Sequence, residues 1–186
     1  MELKGERLIA APIEKVWAGL NDPEILKACI AGCESLERSG DDAFAALVAV
    51  RVGPVSAKFK GKLKMSDVKP PTSYTLHFDG QGGVAGFGKG SADVQLTPEA
   101  GATRLGYLAR AQVGGKMAQV GSRLIDAAAA KITEDFFAAF EAQVAPPPAE
   151  GAAAEAEAAP AAGGSKRVWW IAAAVVLIVA IWWLKR

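Results

Sequence analysis

Side chains able to do acid–base, nucleophilic or metal chemistry are few and scattered in this 186-residue chain. The single histidine, His77, stands between Leu76 and Phe78 in an alternating stretch. There it reads as a satisfied wall residue before it reads as a general base. Two cysteines, Cys29 and Cys33, are too few for a disulfide framework and read as reduced thiols. A metal site needs three or four ligands, and Cys29, Cys33 and His77 lack the spacing of one. No Ser/His/Asp grouping, Cys/His pair or carboxylate dyad stands out, so no catalytic residue is assigned. The glycine run Gly80-Gln81-Gly82-Gly83-Val84-Ala85-Gly86-Phe87-Gly88-Lys89-Gly90 departs from the dinucleotide fingerprint. It joins two strands and offers no helix N-terminus to a phosphate, so it reads as a flexible hairpin tip exposing Val84 and Phe87.

Charge is more informative. Residues 57–65 alternate strictly, placing Lys58, Lys60, Lys62 and Lys64 on one strand face and Phe59, Leu63 and Met65 on the other. The lysines form either a stripe for an acidic partner or anionic lipid, or an ordinary solvated face. Four basic and three acidic residues lie beyond position 144, leaving 17 of each sign in the first 144. A neutral domain has no basic field for a phosphate backbone, which counts against nucleic acid as a partner.

The periodicities supply the scaffold. A strand over 3–10 precedes a short helix starting at Pro12, with Ile13, Val16, Trp17 and Leu20 on one side. Asp22 caps a second helix with Pro23 in its first position, and Gly32 ends it. From Glu34 the period is two, with strands over 34–38, 44–52, 55–68, 73–79, 87–96 and 103–113 joined by Gly/Pro turns into an antiparallel meander. A helix over 116–143 follows, apolar along Met117, Val120, Leu124, Ile125, Ala128, Ile132, Phe136 and Phe140. The pattern predicts an α+β helix-grip fold, a curved antiparallel sheet around a long C-terminal helix, as in START-like and Bet v 1-like domains. The helix carries small residues at Gly121 and Ala127–Ala130. A straight helix cannot follow a strongly curved sheet, so an apolar cavity is expected between them. Its expected lining is Leu63, Met65, Leu76, Phe78 and Leu105 from the sheet and Met117, Val120, Leu124, Ala128 and Phe136 from the helix.

Beyond the domain (1–144), residues 145–165 are rich in Ala, Pro, Gly and Glu and read as a flexible linker. Residues 166–186 hold seventeen uncharged residues, Val168 to Leu184, bracketed by Lys166-Arg167 and Lys185-Arg186. As a helix they would span about 26 Å, close to a hydrocarbon core. Trp169-Trp170 and Trp182-Trp183 would sit at its two boundaries. This predicts a single-pass C-terminal anchor. With no apolar leader at the N-terminus, the domain is expected on the cytoplasmic side of the inner membrane.

The run from Asn21 to Glu34, NDPEILKACIAGCE, closely resembles the corresponding segment of the CoxG family of carbon monoxide dehydrogenase subunits, with Ala31 where that family usually has proline. Lys60-Gly61, Gly86–Ala92 and Val113-Gly114-Gly115-Lys116 are similar to it too, and the likeness covers residues 1 to about 143. The resemblance implies a START-like domain that recruits a molybdenum-containing dehydrogenase to the membrane and carries quinone between bilayer and enzyme. A pure membrane adaptor and a cyclase-like enzyme with His77 as its one distinctive residue are the other readings.

Overall fold

A computed structural model describes residues 1–145. The linker from Pro146 and the predicted anchor, with Trp169, Trp170, Trp182 and Trp183, lie outside the described residues. Among those described, no helix is long and apolar enough to cross a membrane.

Seven strands form one antiparallel sheet: β1 (Glu2–Ile9), β2 (Cys33–Gly40), β3 (Ala43–Val52), β4 (Val55–Lys69), β5 (Ser73–Gln81), β6 (Phe87–Glu99) and β7 (Ala102–Gly114). Their order is β1-β7-β6-β5-β4-β3-β2, so the six later strands are a pure meander and the first closes on the last. Each expected strand is present and a few residues longer at its ends, because hairpin pairing continues into the polar turns. Between β1 and β2 lie α1 (Ile13–Leu20) and α2 (Pro23–Cys29). Asp22 caps α2, its carboxylate accepting from the amides of Glu24 and Ile25 at 2.9 and 3.4 Å, with Pro23 at N1. Pro12 precedes α1 with extended ψ instead of opening it, and Gly32 makes the turn into β2 at φ 76° after α2 has ended at Cys29.

The predicted single helix over 116–143 is two pieces. Gly115–Val120 forms a 3₁₀ segment, Gly121 breaks it at φ 96°, and α3 runs from Ser122 to Val144. A side chain at 121 would meet a left-handed backbone, so the 3.6 periodicity through this point belongs to two unconnected elements. Only the C-terminal half of α3 is gripped: Phe137, Phe140 and Val144 are buried, whereas Leu124 is 50% and Ile132 42% exposed. The grip is tight because α1 supplies Gly19, where a Cβ would stand 2.8 Å from Val144 Cγ1 and 3.1 Å from Phe140. Ile9, Val16, Leu36, Leu96 and Leu105 complete this core. The buried Thr103 hydroxyl donates to the Ala11 carbonyl at 2.7 Å, which ties the strand end to the entry of α1.

Phe140, fully buried, carries the grip; Phe140→Ala should cost about 3–5 kcal/mol. Leu124→Ala should cost less than about 1 kcal/mol, because half its surface is already wet. Urea denaturation of the two variants measures the difference.

Candidate ligand-binding site

Alternation on β4 sorts its side chains as expected: Phe59, Leu63 and Met65 face α3, and Lys58, Lys60, Lys62 and Lys64 face solvent. The pairing then sets one transverse row across the inner face, Met65–Leu76–Ala92–Ala109–Leu3. The next row, Tyr74–Val94–Tyr107–Gly5, is built of large residues except at its end. Gly5 is required there, since a Cβ would come within 2.6 Å of the Tyr107 hydroxyl.

Above these rows lies an apolar cavity of about 320 Å³. Its floor includes Leu63, Met65, Leu76, Ala92, Val94, Leu105, Tyr107 and Ala109; Ile132, Thr133, Phe136 and Phe137 of α3 roof it, and Leu20, Leu26, Ile30, Leu36 and Phe44 close one side. The room comes from the floor. Ala92 and Ala109, adjacent in one row, withdraw side-chain volume where neighbouring rows carry aromatic or branched residues. The cavity reaches the surface beside Ile132, which lines it while remaining partly exposed.

Five of the expected lining residues, Leu63, Met65, Leu76, Leu105 and Phe136, stand in the wall; five do not. Phe78 shares the right face but lies one row further on, over Gly90, where a Cβ would be 2.8 Å from its ring. Met117 is buried in the 3₁₀ segment, Val120 is half-buried beside it, and Leu124 reaches instead toward the Gly53 turn, 3.7 Å from the position of a Cβ there. Ala128 lies in the ungripped half of α3, so the alanine run of the helix does not create the space. Tyr74, Tyr107, Ala92, Ala109 and Phe137 were not foreseen. Extending the parity of β4 across the sheet would have found the first four.

Among the described residues, no charged side chain lines the cavity. Its polar atoms are the hydroxyls of Tyr74, Tyr107 and Thr133, the last donating to the Ala129 carbonyl at 2.9 Å. Burial pushes the Tyr74 phenol well above its ordinary range, so it stays neutral against the edge of Trp17, 5.7 Å between ring centres. Tyr107 and Phe137 are 5.3 Å apart, and Phe136 stacks on Phe140 at 5.9 Å. Arg7 clamps this aromatic roof from β1, its guanidinium 5.7 Å over Phe137 and ion-paired with Glu134.

The residues with potential for chemistry lie elsewhere. His77 is on the outer face, not in a wall, with its Nε2 3.0 Å from the Ser66 hydroxyl. Cys29 and Cys33 are free thiols. Burial raises both above the ordinary thiol range, and Lys27 opposes it only in part at Cys33. Among the described residues, no group of three His, Cys, Asp or Glu could hold a metal ion.

The glycine run is not a loose tip. It forms a 3₁₀ turn, Gly83–Ala85, with Val84 exposed and Ala85 buried; Phe87 is half-buried, its ring packed so closely on Gly114 that no Cβ would fit there.

Comparison with known proteins agrees with this geometry. A conserved protein from Geobacillus kaustophilus superposes with a TM-score of 0.73 at 34% identity, over 77% of this chain and 95% of that one. The protein TTHA0849 from Thermus thermophilus gives 0.60 at 19% identity, over 77% and 97%. The ZhuI aromatase/cyclase from Streptomyces sp. R1128 gives 0.56 at 11% identity, over 77% and 93%, and shares the fold alone. No curated protein sequence matches the chain. Residues 5–145 match the family of the carbon monoxide dehydrogenase CoxG subunit, and with the seven-stranded helix-grip architecture this makes the chain a member of the CoxG family in the START-like superfamily.

Proposed function

We propose that the domain binds an uncharged apolar molecule, a respiratory quinone foremost, and passes it between the membrane and a molybdenum-containing carbon monoxide dehydrogenase-type enzyme that it recruits there. CoxG membership associates the chain with carbon monoxide dehydrogenase, and the helix-grip fold is a hydrophobic-ligand fold. The observation that carries the ligand reading is the cavity. Its volume of about 320 Å³ falls at the lower end of small-molecule sites, and its wall holds hydroxyls but no charge. A quinone ring offers two carbonyl acceptors, which phenol donors such as Tyr74 and Tyr107 match, and its isoprenoid chain is driven out of water by its area. The space admits a ring and a short stretch of chain, leaving the rest of a long tail to pass the partly exposed Ile132.

The membrane arm rests on the apolar run 168–184 with its tryptophan pairs, and the recruitment arm on the family. The lysine stripe is exposed on β4, Lys58 already engaged with Glu34 at 2.7 Å and Lys60, Lys62 and Lys64 free of ion pairs among the described residues. It is a candidate face for an acidic partner. A non-catalytic role is favoured because the wall holds no acid–base pair and the thiols are held protonated.

Three measurements check this reading. Organic extraction of protein purified from membranes should release a quinone or another uncharged lipid; empty preparations would sink the ligand reading. Ala92→Phe should fill the floor, costing no more than about 3 kcal/mol, and abolish electron transfer from the dehydrogenase while leaving its membrane recruitment intact. Under a pure adaptor role both would survive. Alkylation of Cys29 and Cys33 by iodoacetamide in the native protein at pH 8 should run well below the rate of the denatured chain. Because the folded thiols have raised pKa values, that gap should narrow only as pH rises above the ordinary thiol range.

A further inference from the structure

One end of the domain joins an exposed apolar tip to an excess of positive charge. Val84, in the turn between β5 and β6, is 86% exposed, more than any other large hydrophobic side chain among the described residues. It is held there firmly. The amides of Ala85 and Gly86 donate to the carbonyls of Gly82 and Gly83 at 3.1 Å, and the Gly82 amide donates to the Gly86 carbonyl at 2.8 Å. Gly86, at φ 113°, lies directly on the next connection: a Cβ there would collide with the Gly114 carbonyl oxygen, and one on Gly115 would be 2.5 Å from Gly86 Cα. Backbone thus packs on backbone, with Ala85 and Met117 buried at the junction. The 3₁₀ segment carries the first turn of α3 to the same end, where Leu124 sits half exposed against the Gly53 turn.

The charge at this end has one sign. Its three segments, 51–57, 81–88 and 112–125, contain Arg51, Lys116 and Arg123 and no Asp or Glu, with Lys89 one residue beyond. The turns at the other end, 36–43, 66–73 and 96–103, contain Glu37, Asp41, Asp42, Asp67 and Glu99 against Arg38 and Lys69. The neutral domain is therefore polarised along its strands. Helix α3 adds to this, since its N-terminus, the positive end of its dipole, lies at the basic end.

We propose that this end is the domain's docking surface for an anionic lipid bilayer, with Val84 and Leu124 entering the headgroup layer and Arg51, Lys116 and Arg123 meeting lipid phosphates. The proposal deepens the lipid-transfer reading by naming the surface that meets the membrane, and it rests on that reading. A rigid tip suits the task, because no ordering cost is added when it inserts. The stripe on β4 is a poorer match: Lys58 is spent on Glu34, Asp79 lies opposite Lys62, and the strand shows no exposed large hydrophobic side chain.

The test uses residues 1–145. They fall in a compact unit of their own and correspond to nearly the whole of the Geobacillus chain, which stands alone. The domain is sedimented with vesicles of phosphatidylcholine alone or with about one-third phosphatidylglycerol, and an environment-sensitive apolar dye reports on the cavity in the same samples. Wild type should bind the anionic vesicles only. Val84→Glu, and Lys116→Glu with Arg123→Glu, should each lower partitioning by roughly tenfold or more, at about fivefold per basic residue, while dye binding is unchanged. Lys60→Glu with Lys62→Glu should change it less than about twofold. Absence of binding to anionic vesicles, indifference to the tip substitutions, or loss on substituting the stripe would each overturn the proposal. An empty cavity by dye, with vesicle binding intact, would instead overturn the ligand reading and leave the docking surface standing.

Discussion

The architecture depends on how little of α3 the sheet holds. Phe137, Phe140 and Val144 close on Gly19 and the strand core, and that short contact fixes the helix at its C-terminal end. Everything N-terminal to it is free of the demand for close packing. The cavity exists because the sheet can drop away beneath Phe136 and Ile132 without loss of the grip, and the floor alanines Ala92 and Ala109 widen it there. Dispersion contacts forgone over the hollow are compensated at the gripped end, where aromatic rings pack on one another and on an arginine.

Strand content, order and facing were legible from alternation and turn chemistry, since each hairpin is a local event and period two is unambiguous in 57–65. The capped entry of α2 was legible for the same reason. The helix was misread at one residue. Gly121 looked like one more small side chain on an apolar stripe, but its φ of 96° makes it a terminator, and a periodic pattern cannot show backbone sign. That error moved the expected roof of the cavity by two or three turns, toward Met117, Val120, Leu124 and Ala128.

The floor was half legible for a different reason. Which residues of β4 face inward follows from its lysines, yet which residues of β5, β6 and β7 stand beside them depends on register, and register is a property of pairs of strands. Leu63, Met65, Leu76 and Leu105 are large and apolar, so composition alone nominated them. Ala92 and Ala109 are small, and a small residue looks unremarkable until its neighbours across the sheet are known. The tip turn shows the same limit: a glycine run reads as looseness, whereas Gly86 and Gly115 are glycines because two backbones touch.

The uncharged wall has a consequence of its own. Burying an ion without a partner costs several kcal/mol or more, so the hollow acts as a filter on ionisation state as well as on size. A fatty acid could enter only as its neutral acid or with its carboxylate left outside. A redox-active guest could be held fully oxidised or fully reduced and protonated, whereas an anionic one-electron form would be expelled or quenched by proton uptake. Electrons travelling in such a guest would move in pairs.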